Sequence, residues 1–277
     1  MMPHRRIQAA FIVGGSSGIG LATARLLAKR GTRVAIFARG LAGLAQARKE
    51  IESVSSLGQA CLAVPMDVTD PEQVRQAMTE ASERLGLPDL VFSGAGQARP
   101  APVGSIDPAR FADTIALNLT GTYNVCWEAL SLMRPGAHLV LVSSLAGLLG
   151  VYGYADYCAA KFGVVGLAET LRCELAPRGI KVAVLCPPDT DTPGYQREAE
   201  TKPPETKALS RHGGLLSAEF VAEALLRGLR RDRFVVIPGA QAQLTALIHR
   251  LCPALVRWVM GGIVAKSTGS RRPDSPA

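Results

Sequence analysis

The 277-residue chain is 48% hydrophobic and 19% charged, enough apolar material to bury a sizeable core. Its six cysteines are scattered without a Cys-x-x-Cys pair, which argues against a zinc site and for the reduced, mostly buried thiols of a cytosolic protein. The first eight residues are too short and polar for a signal peptide, and the +8 charge sits late: from Lys207 onward there are 11 basic and 4 acidic residues, against 20 and 19 in residues 1–206.

From the N-terminus, short runs rich in Val, Ile and Leu alternate with helical stretches. Strands are predicted at 8–13, 33–38, 61–66, 89–93, 138–143, 181–186 and 234–237, and helices at 18–30, 41–54, 71–85, 108–133, 155–176 and 217–231. The alternation implies the α/β class: a doubly wound parallel sheet with helices on both faces, one domain over residues 1–240. Residues 187–216, rich in Pro, Thr and charge, make a connection too long for an idle loop and read as a lid. After Pro238 the alternation stops. Residues 241–277 are an apolar, basic extension whose last dozen residues, rich in Ser, Arg and Pro, are expected to be disordered.

The first strand runs into Gly14, Gly15, Ser16, Ser17, Gly18, Ile19 and Gly20 and then a helix. Glycines there let the backbone turn sharply and approach a pyrophosphate seated on the positive helix N-terminus. The Gly-x3-Gly-x-Gly spacing alone is equally that of an ordinary glycine turn. The second strand ends in Phe37-Ala38-Arg39, where folds that bind NAD place an acidic residue. Arg39 suits a 2′-phosphate instead, as a bidentate partner; the other reading is a solvated loop cation.

The decisive constellation lies between 140 and 162. Tyr157 alone of the five tyrosines has a lysine four residues on, and on a helix Lys161 then shares its face. A nearby ammonium is expected to lower the phenol from its ordinary pKa of about 10, making Tyr157 a general acid for carbonyl reduction. Ser144, thirteen residues earlier at a strand end, is placed to bind the carbonyl oxygen.

These residues together resemble the short-chain dehydrogenase/reductase superfamily over nearly all of 7–240. The pattern covers the glycine loop, Asp67, the Ser93-Gly94-Ala95-Gly96 run, Asn118, Ser144, Tyr157, Lys161 and Pro187. The resemblance implies a Rossmann fold, Asp67 at the adenine and Asn118 organising a water relay to the lysine. It also implies that the segment of Pro187, Thr190 and Thr192 lies at the nicotinamide and phosphates, and that the protein pairs as a homodimer or homotetramer. Two departures stand out: Val13 replaces the usual threonine before the first glycine, and Ser93 a structural asparagine. The run Pro-Pro-Asp-Thr-Asp-Thr-Pro-Gly at 187–194, with Thr-Lys-Pro-Pro-Glu-Thr at 201–206, is similar to 3-ketodihydrosphingosine reductases. That narrower resemblance implies reduction by NADPH of a lipid ketone, the 3-keto group of a sphingoid base; the alternative is another ketone or a 3-ketoacyl substrate. Asp189 and Asp191 then either pair with the substrate amine or cap the lid turn.

Leu244, Leu247, Ile248, Leu251, Leu255, Trp258 and Val259 follow helical spacing. The stretch is too short and too interrupted by Pro253 and Arg257 to span a bilayer. Either it lies peripherally in a membrane interface, matched by the basic tail, or it packs on a subunit or on the domain itself. A nucleic-acid role is not expected, since aromatics beyond Trp258 do not interleave with the basic residues.

Overall fold

A computed structural model describes residues 6–56, 61–211 and 213–267. The expected disorder of the last dozen residues falls almost wholly outside them. In chain order the elements are β1 (Ala9–Val13), α1 (Gly18–Lys29), β2 (Arg33–Ala38), α2 (Leu41–Val54), β3 (Leu62–Pro65), α3 (Pro71–Leu85), β4 (Leu90–Ser93), α4 (Pro108–Ile115), α5 (Gly121–Leu132), β5 (His138–Val142) and α6 (Ala155–Leu175). Then follow β6 (Lys181–Leu185), β7 (Thr190–Asp191), α7 (Pro193–Thr201), α8 (Pro204–Ser210), β8 (Leu216–Ser217), α9 (Ala218–Arg230), β9 (Val235–Val236), α10 (Ala240–Leu251) and α11 (Pro253–Ser267).

Seven strands form one parallel sheet in the order β3-β2-β1-β4-β5-β6-β9. Such a sheet must be apolar on both faces, and every residue of β1 is buried accordingly. One core packs Phe11, Phe37 and Leu139 against α3, α5 and α6. The other packs Ile12, Ile36 and Phe92 against α1, α2 and α9. Fully burying a side chain such as Phe11 stabilises the fold by about 1.5–3 kcal/mol. Strand order reverses between β1 and β4, and their carboxyl ends open the crevice where doubly wound sheets bind ligands.

Three departures from the sequence reading matter for the site. The helix predicted over 108–133 is interrupted by a π-helical segment, Ala116–Thr120, which carries Asn118; such bulges re-aim side chains at functional positions. The lid holds its own structure, α7 and α8 tied by the short parallel pair β7–β8. The apolar extension is two helices rather than one, broken at Pro253, and α11 packs on α8. No single described helix is long and apolar enough to cross a membrane; α10 and α11 pass together but are bent by 118°.

Candidate active site

At the carboxyl ends of β1 and β4 two glycine loops meet. Gly14 has φ +77°, and a Cβ there would fall 2.7 Å from the carbonyl carbon of Gly94. A Cβ on Gly20 would lie 2.2 Å from the Gly14 oxygen. Only glycines let the loop fold this tightly under the start of α1. Ser17, the N-cap of α1, makes no side-chain capping bond, whereas Asp70, Asp107 and Ser217 cap α3, α4 and α9. The first N–H groups of α1 are thus left to the crevice, which fits a pyrophosphate.

The crevice is a cavity of about 890 Å³. Gly14, Ser16 to Gly20, Arg39, Gly94, Ser144, Tyr157, Lys161, Pro187, Thr190 and Thr192 line it, whereas Gly15, Asp67, Ser93 and Asn118 do not. Arg39 projects from the end of β2 with 61% of its side chain exposed, and its Nη1 lies 3.7 Å from Asp67 Oδ2. Burial pushes the Asp67 carboxyl up, but the Thr69 amide and hydroxyl, together with Arg39, hold it below the ordinary range.

Ser144 ends the stretch after β5, and Tyr157 and Lys161 sit on the first turns of α6. Lys161 is 4% exposed; its Nζ donates to the Val142 carbonyl at 2.9 Å and lies 5.5 Å from the centre of the Tyr157 ring. Asn118 is fully buried behind it, donating to the Gln97 and Thr114 carbonyls at 3.0 and 3.1 Å and accepting from the Gln97 N–H at 3.2 Å. A Cβ on Gly96 would lie 2.5 Å from Asn118 Oδ1 and 3.4 Å from Lys161 Nζ, so glycine there lets the asparagine approach the lysine. Thr114 also donates to the buried Asp156 carboxylate at 2.8 Å, and Asp156 accepts the Tyr157 N–H at 2.8 Å. The end of α4, which leads into the π-helical turn, and the start of α6 are thereby bolted together.

One electrostatic expectation is corrected. The Tyr157 phenol is not lowered: burial, then the negative charge of Glu198, push it up, against the opposing hydrogen bond with Ser144. Burial likewise pushes the Lys161 ammonium down, to about 8. Withdrawal from water outweighs the mutual help that helical spacing suggested. A raised phenol stays protonated at neutral pH, the state needed to give a proton to a carbonyl.

The sequence reading missed two wall residues, Tyr154 and Glu198, and the lysine behind them, Lys202. Tyr154 is buried, its ring centre 5.7 Å from that of Tyr157, and its hydroxyl donates to Glu198. Lys202 lies 3.0 Å from Glu198 and 3.3 Å from Asp189. The four-residue spacing of Glu198 and Lys202 on a helix was the available signal. Asp191 instead is exposed, accepting from Gln196 at 3.3 Å, and Thr192 caps α7. The extension also lines the cavity, with Ile248, Val256, Val259, Met260 and Ile263.

Comparison with known proteins agrees with this architecture. A family model for short chain dehydrogenase matches residues 8–203. The chain is 35% identical over 227 residues to the 3-ketodihydrosphingosine reductase of Bos taurus, covering 80% of this chain and 68% of that protein. It is 36% identical over 231 residues to a 3-dehydrosphinganine reductase of Arabidopsis thaliana, covering 82% and 68%. The crystal structure of levodione reductase superposes with a TM-score of 0.78 at 26% identity, covering 85% of this chain and 98% of that one. With the glycine cradle, the Ser144, Tyr157 and Lys161 constellation and a match over most of its length, the chain belongs to the short chain dehydrogenase family.

Proposed function

We propose that this enzyme uses NADPH to reduce a lipid ketone to an alcohol, the ketone being the 3-keto group of 3-ketodihydrosphingosine. The family works with a nicotinamide cofactor on a small-molecule substrate, and the proposal concerns which form and which ketone. The observation that carries it is the cavity itself. Ser144, Tyr157 and Lys161 share it with a run of aliphatic side chains from α10 and α11, and the relatives that match this chain through the lid are named for that ketone.

The glycine loop and the N-terminus of α1 would hold the pyrophosphate, Arg39 the 2′-phosphate, Asp67 the adenine side, and Pro187, Thr190 and Thr192 the nicotinamide side. When bound, the cofactor supplies a hydride to the carbonyl carbon. Tyr157 delivers its phenolic proton to the carbonyl oxygen, and the Ser144 hydroxyl donates a hydrogen bond that steadies the charge growing there. Lys161 orients the phenol and, with the oxygen of Asn118 nearby, connects it to a route for the replacement proton.

Two partner readings go with this. The α10–α11 pair presents Leu244, Leu247, Leu251, Leu255 and Trp258 outward, and residues 240–267 carry Arg250, Arg257 and Lys266 without any Asp or Glu. That combination suits peripheral contact with an anionic bilayer. Tyr123 and Trp127 on α5 and Phe162 on α6 are exposed, which suits pairing with a second copy through those helices. The test of function is turnover: purified protein with NADPH should convert 3-ketodihydrosphingosine to its alcohol, identified by mass spectrometry. Reduction of 3-ketoacyl substrates with none of the sphingoid ketone would move the enzyme to the alternative class.

A further inference from the structure

We infer that Glu198 is the specificity residue of this cavity, receiving the ammonium of a substrate in which an amine adjoins the ketone. The inference rests on reading the cavity as the ketone-reducing site, and asks what the lid adds to it.

Lys202 is the starting point, because its side chain is only 2% exposed. A buried ammonium is tolerated when it is paired, and one carboxylate meets that need. Lys202 has two, Asp189 at 3.3 Å and Glu198 at 3.0 Å, with the Ser210 hydroxyl at 3.1 Å and the Tyr195 ring 4.2 Å away. The trio therefore carries an excess of one negative charge, its two carboxylates lining the cavity wall and Lys202 lying behind them. Arg197, the neighbouring basic residue of that wall, is exposed and lies about 100° round α7 from Glu198.

Position selects Glu198 over the other lid carboxylates. Asp191 is exposed and outside the cavity lining. Asp189 and Glu198 both pair with Lys202, at 3.3 and 3.0 Å, so what separates them is the contact with Tyr154. Glu198 accepts from Tyr154, whose ring packs on that of Tyr157. Its carboxylate is thus one side chain from the phenol that faces the carbonyl, where an amine on the adjoining carbon has to sit. The cavity's other lining is independent support: Ile248, Val256, Met260 and Ile263, from α10 and α11, are all apolar. A lid wall bearing the carboxylates of Asp189 and Glu198, in a cavity that also has aliphatic cover, fits a cationic amphiphile.

The test compares kcat/KM for 3-ketodihydrosphingosine and for its N-acetyl derivative, which keeps the ketone and the chain but carries no charge. Wild-type protein should prefer the amine by roughly ten- to hundredfold, the worth of one charge-assisted contact. Glu198→Gln should shrink that preference to within about threefold, whereas Lys202→Met, which removes a competing cation, should retain it. A preference unchanged in Glu198→Gln, or lost in parallel in both variants, overturns the inference by making the network purely structural. Equal wild-type use of both ketones overturns it while leaving the reductase reading intact. Reduction of neither overturns the reading of the cavity and the inference with it.

Discussion

Replacing Arg39 separates a cofactor contact from a structural one, because the side chain has so little to lose in the protein itself. It is 61% exposed, and its ion pair with Asp67 spans 3.7 Å. Exposed pairs of this kind contribute about 0–1 kcal/mol, so Arg39→Ala should lower Tm by no more than about 4 °C for a domain of this size. Against a 2′-phosphate the same guanidinium makes a charge-assisted contact worth about 1.5–3 kcal/mol, roughly ten- to a hundredfold in Kd. NADPH affinity should fall by that factor while NADH affinity holds, since NADH has a neutral hydroxyl at that position. Because Arg39 is open to solvent, salt should screen the wild-type advantage, the Debye length being about 10 Å at 0.1 M. Arg39→Asp should go further and favour NADH, the carboxylate repelling the phosphate and accepting from the ribose hydroxyls. Fluorescence titration of both cofactors at low and high salt reads all of this. Equal losses for the two cofactors would mark Arg39 as structural, and no loss for NADPH would make it the solvated cation that its exposure also allows.

Tyr157→Phe keeps the ring against Tyr154 and removes the proton, so kcat should fall by about 10²–10⁴ while NADPH binding stays within a few-fold; stopped-flow hydride transfer at the wild-type rate would refute the assignment. Lys161, lowered to about 8 from 10.5 in the fold, binds fewer protons folded than unfolded between those values. Stability should therefore rise with pH across that window relative to Lys161→Met, and below it both states are protonated and the burial penalty is constant. Denaturant titrations of the two proteins from pH 7 to 10 check the sign, and a difference that falls with pH would refute it. Leu247 and Leu251 are 52% and 75% exposed on the outer side of α10. Changing both to glutamate should abolish co-sedimentation with anionic liposomes and leave the Tm within a few degrees; retained binding would place the membrane contact elsewhere.

The amino-acid sequence by itself determined the sheet, the glycine cradle and the shared helical face of Tyr157 and Lys161, because each is written in short-range pattern. Apolar runs such as Ala9–Val13 must be buried on both faces, the glycines of 14–20 are needed where they stand, and Tyr157 and Lys161 share a helical face through their spacing alone. What only the tertiary structure decided depends on how much water each group loses and on what arrives from elsewhere in the chain. The phenol of Tyr157 is raised rather than lowered because burial and Glu198 outweigh the hydrogen bond with Ser144. Asn118 reaches the site through a π-helical turn that a continuous helical pattern had hidden. The stripe of the extension reads as one face in sequence, but the break at Pro253 divides it. Ile248 lines the cavity half-buried, while Leu251 and Leu255 stay exposed to solvent outside it. A repeat of apolar residues tells which side of a helix avoids water, and only packing tells whether the neighbour is a core, a substrate or a surface.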